Sequence, residues 1–165
     1  LISSIDQAVF HGDSEKARAN MLKGSMFAGI AFANSPVAAV HALAYPIGGI
    51  FHIPHGLSNA LILPYVLRFN QLDQKAAHAY ADLCDYIWPL KDPKQGIQYK
   101  SSFFIEKLTE LSERLGLETR LRDVGIPKEA CEKMAKESMK QTRLLVNNPR
   151  FITEKDSLDI YLAAW

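Results

Sequence analysis

The sequence predicts an all-α protein, a helical bundle. Three observations carry that prediction. Apolar residues recur at helical spacing with almost no period-two alternation, and proline, glycine and capping residues fall where helices would begin and end. The charge, third, is divided between two halves: residues 1–70 hold seven charged side chains and residues 71–165 hold thirty. Between Lys23 and Arg68 there is no Asp, Glu, Lys or Arg, a gap of 44 residues. A helix with a solvated face needs charge on it, so residues 24–67 are expected to be buried on nearly all sides, in a bundle or beneath another domain. A membrane is not expected as a partner. Pro36, Pro46, Pro54 and Pro64 interrupt the segment together with Gly48 and Gly49, leaving no apolar run of about 18 residues to span a bilayer.

The elements follow from punctuation. Leu1, Ile2, Ile5 and Val9 mark a first amphipathic helix that Gly12 closes. Asp13 or Ser14 caps the next, which runs to about Asn34. Ser35 is expected to cap a third helix with Pro36 at its first position. That helix carries His41 and is expected to stop near Tyr45, because Pro46 disfavours helical backbone in the residue before it, which makes PIGGIFHI a loop. Pro54 opens the following helix and puts His55 in its first turn; Pro64 kinks it before it ends around Asn70. A helix from about Leu72 to Trp88 precedes the loop PLKDPKQG. Phe104, Leu108, Leu111 and Leu115 then trace an amphipathic helix that Gly116 terminates. Pro127 starts another, expected to continue until NNP at residues 147–149, and Thr153 with Asp156 forms a capping box for the last, which reaches Trp165.

Composition excludes several functions. At 165 residues the chain is one domain or a piece of one, long enough to bury roughly 70% of its unfolded surface. A net charge of +1 gives no reason to expect nucleic acid as a partner. Cys84 and Cys131 lack a CxxC partner and read as reduced thiols, so a cytoplasmic location is expected. The chain opens without Met, a basic start or a cleavage site, inside an apparent amphipathic helix, and is expected to be a fragment.

HALAYPIGGIFHIPHG, residues 41–56, holds three histidines and no Asp, Glu, Lys or Arg. His41 on one helix and His55 at the start of the next can aim two imidazoles at one point, and neutral imidazole is a common metal ligand. The competing reading makes each a satisfied core or helix-terminal residue. His52 reads as a loop side chain, and His11 and His78 as surface residues. A metal site also needs about three protein ligands, and Asp6, Asp13 and Asp73 lie near helix ends with no pattern directing them inward.

The stretch HALAYPIGGIFHIPHGLSNALILPYVLRFN resembles the second signature of the iron-containing (group III) alcohol dehydrogenases. His41, Ala44, Pro46, Gly48, Gly49, Pro54, His55, Gly56, Asn59, Leu63, Pro64, Arg68, Phe69 and Asn70 carry the resemblance. LRDVGIPKE around Gly125, NNPR at 147–150 and ITEKD at 152–156 extend it over essentially the whole chain. The resemblance implies that residues 1–165 form the metal-holding, all-helical C-terminal half of a two-domain architecture shared with dehydroquinate synthase-like proteins. The nucleotide-binding domain of that architecture would be absent here, and Gly48–Gly49 is no substitute for its phosphate loop.

By the same resemblance His41 and His55 are metal ligands, the remaining ligands precede Leu1, and the cofactors are a divalent metal (Fe2+ or Zn2+) with NAD or NADP. The implied substrate is a small alcohol or its aldehyde, and the implied assembly a homo-oligomer. Tyr45 stands where many relatives carry a further histidine; it is expected either to hydrogen-bond a substrate oxygen or to pack as a pocket wall. Ala38 and Ser58 also depart from the usual small-residue pattern. Phe51, Ile53 and Leu57 would suit an aliphatic substrate. Two competing functions are a non-catalytic module that self-associates or binds a partner through uncovered apolar surface, and phosphate elimination on the same fold, against which the lack of Lys and Arg near His41 and His55 argues.

Overall fold

A computed structural model of the chain describes residues 1–92 and 94–165. Pro93, one of the two prolines expected in the PLKDPKQG loop, lies outside the described residues. Among the described residues there are helices and turns but no strand, so the fold is all-α. No single helix is long and apolar enough to cross a membrane. The chain divides into two compact units, Leu1–Val37 and Ala38–Trp165.

The first unit is a helical pair, α1 (Ile5–Phe10) and α2 (Glu15–Asn34). Ser14 caps α2 as expected, its hydroxyl accepting from the Ala17 amide at 3.4 Å. Asn20 Nδ2 donates to Ser4 Oγ at 3.1 Å, and the Leu1 side chain lies where a Cβ on Gly24 would be, 2.6 Å from its Cδ2. The expected burial of the charge-free segment fails here. Leu22, Met26, Phe27, Ile30 and Phe32 all stand more than half exposed, because α1 is six residues long and can cover only the N-terminal part of α2.

In the second unit α3 (Ala39–Phe51) and α4 (His55–Asn70) pack against each other at the centre. α5 (Gln74–Ile87) and α6 (Ile97–Arg114) form a second pair, with α6 also on α4. A 3-10 turn at Leu121–Val124 ends at Gly125, whose φ of 78° suits glycine. α7 (Ala130–Ser138) and α8 (Thr142–Leu145) cover α3, and α9 (Glu154–Ala164) packs on α7 and α4. Leu43, Ile47, Leu61, Ile62, Val66, Leu121, Met134 and Tyr161 are fully buried in the core. Cys84, Phe104 and Ile105 anchor a separate cluster under Tyr80 and Trp88.

Three boundaries differ from expectation. Ser35 ends α2 rather than capping α3; its backbone is extended (φ −137°, ψ 104°), as a residue before proline prefers, and α3 begins at Ala39 with no side-chain cap. α3 does not stop at Tyr45 but runs on through Pro46, Gly48 and Gly49 to Phe51, so PIGGIF is helix. Burial overrides the local penalty: Pro46 and Ile47 pack into the core, and Tyr161 donates its hydroxyl to the Leu43 carbonyl, three residues before the proline, at 2.6 Å. Finally, the helix expected from Pro127 to NNP is two helices. Ser138, at the end of α7, bonds Ala135 O and the Ser157 hydroxyl of α9, both at 2.8 Å, which pins the break.

The motif residues at the end of α4 act as a clasp. Asn70 and Asn148 exchange reciprocal amide hydrogen bonds of 3.0 and 2.8 Å, and Asn148 Nδ2 also donates to Arg150 O at 2.7 Å. The Arg150 guanidinium lies 3.9 Å from the Phe69 ring centre and donates to Phe69 O. At α9 the predicted capping box is present in full, Thr153 bonding the Asp156 amide and Asp156 returning to Thr153 N.

Burial pushes the Tyr161 hydroxyl far above its ordinary titration range, so it stays a donor to Leu43 O. Tyr161→Phe leaves that carbonyl in the core without this partner. It is expected to cost about 1–2 kcal/mol in urea unfolding with an unchanged m value; an unaltered midpoint would show that α3 tolerates Pro46 without the hydroxyl.

Candidate metal centre

The site is built by the turn between α3 and α4. His41 lies in the first turn of α3 and His55 is the first residue of α4. Three residues, His52 to Pro54, join the two helices. His52 ends α3 in the left-handed conformation (φ 58°, ψ 24°), the one non-glycine with positive φ among the described residues, and its N–H bonds Gly48 O at 3.0 Å. Such a backbone costs a β-carbon-bearing residue about 1 kcal/mol, so the surroundings must hold it. Ser58 does so: buried, it donates toward Ile53 O at 3.2 Å and Pro54 O at 3.1 Å. A Cβ on Gly48 would come within 3.3 Å of that same Ile53 carbonyl, which accounts for the glycine.

The result is convergence. The His41 and His55 ring centres are 5.2 Å apart with planes tilted by 53°, and the Tyr45 ring lies 6.2 Å from that of His55. Tyr45 is one turn after His41 on α3 and is 36% exposed. With Pro46, Gly49 and Ile50 and with Lys133, Glu137 and Gln141 of the α7–α8 region, it lines a cavity of about 220 Å3. His41 is held below its ordinary pKa, first by burial and second by the neighbouring His55. It therefore stays neutral, with a lone pair to offer.

Within the second unit, the residues that the sequence left outside the site have other places. His52 is exposed at the end of α3, and the exposed His78 bonds Gln74 O at 2.7 Å on α5. Asp73 is occupied as the cap of α5, accepting from Ala76 N at 2.9 Å. Among the described residues no group of three or more His, Cys, Asp and Glu could hold an ion. The pair nevertheless suits one: 5.2 Å lies within the span of two imidazoles bonded to a single ion at about 2.0–2.1 Å each. Sequence reasoning gave Asn59 and Ser58 no role, yet Asn59 Nδ2 contacts His55 Nε2 at 3.0 Å. A polar residue one helical turn after a candidate ligand was the available signal.

The family model for the Fe-containing alcohol dehydrogenase family, C-terminal, matches residues 1–165. The chain belongs to that family. It is 38% identical over 162 residues to a long-chain-alcohol dehydrogenase of Geobacillus thermodenitrificans, covering 98% of this chain and 40% of the relative. A 1,3-propanediol dehydrogenase of Citrobacter freundii is 32% identical over 98% of this chain and 41% of its own. Among solved structures, a 1,3-propanediol oxidoreductase superposes with a TM-score of 0.92 at 30% identity, over 99% of this chain and 42% of that one. An alcohol dehydrogenase from Oenococcus oeni gives the same TM-score, identity and coverage. This family chain thus spans about two-fifths of the length of the curated relatives it matches.

Because the folded chain holds His41 below its ordinary pKa, the unfolded chain binds the proton first as pH falls. His41 therefore contributes stability above the ordinary histidine range that is progressively lost on acidification through it. Ring-resonance titration is expected to place the His41 midpoint below about 6.5; a midpoint above that value would contradict the partly buried, paired environment.

Proposed function

We propose that the chain is the metal-holding helical part of an NAD(P)-dependent alcohol dehydrogenase interconverting a small alcohol and its aldehyde or ketone. The observation that carries this reading is the approach of His41 and His55 in a chain of this family. Easier loss of the alcohol proton, and polarisation of the carbonyl in the reverse direction, is the chemistry that a ferrous or zinc ion contributes at such a site, with the nicotinamide as hydride partner. This chain's own part is to present two imidazoles from separate helices, His41 and His55, on a turn that Ser58 and Gly48 fix. Tyr45, beside His55, is placed to hydrogen-bond a substrate oxygen from a partly exposed position. Its hydroxyl can donate to or accept from such an oxygen.

Relatives named as a long-chain-alcohol dehydrogenase, a 1,3-propanediol dehydrogenase and a lactaldehyde reductase support an alcohol or aldehyde substrate without narrowing it. The free buried thiols Cys84 and Cys131 support a reducing, cytoplasmic setting. On this reading two imidazoles supply half of a metal cage, and the chain spans only about two-fifths of the length of the relatives it matches. Zinc or ferrous ion is expected to bind the chain weakly, and His41→Ala or His55→Ala each to abolish binding. Alcohol-dependent reduction of NAD or NADP by the chain alone is expected to be absent; robust turnover would overturn the division of the site.

The exposed apolar residues of α2, Leu22, Met26, Phe27, Ile30 and Phe32, favour a second reading, in which the chain self-associates as a homo-oligomer. Light scattering is expected to show species larger than 18.5 kDa that grow with concentration. A monodisperse monomer would remove this reading.

A further inference from the structure

Asn59 sits one helical turn after His55 on α4, and its amide nitrogen is 3.0 Å from both His55 O and His55 Nε2. The backbone oxygen can only accept, so it fixes the amide: nitrogen toward His55, Oδ1 away. Turning the amide over would set Oδ1 against the carbonyl, acceptor to acceptor at 3.0 Å, a repulsion that outweighs the one unpartnered acceptor, Oδ1, of the present orientation. In the orientation that remains, Nδ2 donates to Nε2. A neutral imidazole has one accepting nitrogen, so the ring proton is on Nδ1 and the only lone pair of His55 is engaged by Asn59.

Resting on the metal reading above, we propose that Asn59 is a positioning residue that latches His55: it fixes the tautomer of the ring and must release it before His55 can bind an ion. Both routes to loading require that release. Coordination through Nε2 takes the lone pair that the amide holds. Coordination through Nδ1 moves the proton to Nε2, where it meets the amide hydrogens head-on. In either case one hydrogen bond is exchanged for the metal bond, and the latch keeps the ring from wandering while no ion is bound. No such amide contact to His41 is among the described hydrogen bonds, so the latch acts on His55 alone.

The test uses the whole chain with Asn59→Ala and Asn59→Leu; the first favours helix, the second keeps the volume, and neither can donate. Side-chain nitrogen resonances of the metal-free protein are expected to report His55 as the Nδ1–H form, shifting toward Nε2–H in both variants. Zinc titration followed on the His41 and His55 rings is expected to show about fivefold tighter binding in the variants, the equivalent of one ordinary hydrogen bond. His55 found as Nε2–H in the unsubstituted chain, or equal or weaker zinc binding by both variants, would overturn the latch while leaving the metal reading intact. Zinc bound by none of the three chains would sink the metal reading, and the proposal with it.

Discussion

Two imidazoles fourteen positions apart meet because of the turn between α3 and α4: His52 takes a left-handed backbone, ends one helix, and lets the next begin at His55. A residue with a Cβ resists that conformation, so the turn must be held from outside itself. Ser58 supplies the hold by bonding two successive carbonyls of the connection, and Gly48 lets α3 come close enough for Ile53 O to sit against it. The contacts that bring the two rings together are therefore also packing contacts.

That turn can exist only because α3 reaches Phe51, and α3 reaches Phe51 across a proline. Pro46 gives up one helical hydrogen bond and crowds the preceding turn. The core returns what is lost locally: α7 and α8 cover α3, and Tyr161 of α9 directs its hydroxyl to Leu43 O. The Ser138–Ser157 hydrogen bond ties α7 to α9. Buried polar contacts thus link the last helix to the helix that carries His41.

The motif residues divide into two places. His41, His55 and Tyr45 gather at the candidate site, whereas Asn70, Phe69, Asn148 and Arg150 clasp the far end of α4 to the segment before α9. The sequence singled out the first group by residue type and spacing, but gave the second no physical role. Their separation needed the fold, because Asn70 and Asn148 are 78 residues apart and reveal nothing of each other until α4 and α9 are packed.

The helical class, the ends of α4, the Ser14 cap, the Thr153–Asp156 box and the family were legible in the residues alone, since they rest on interactions between near neighbours or on a signature in one stretch of chain. His41 and His55 were marked in the same way, through type and spacing. Packing was needed to show that Pro46 lies within a helix, that the stretch after Pro127 breaks at Ser138, that the apolar half of α2 stands exposed, and that Asn59 faces His55 Nε2. Each of these is set by what covers a segment, or fails to, and local propensities of about 1 kcal/mol yield to burial worth several times as much.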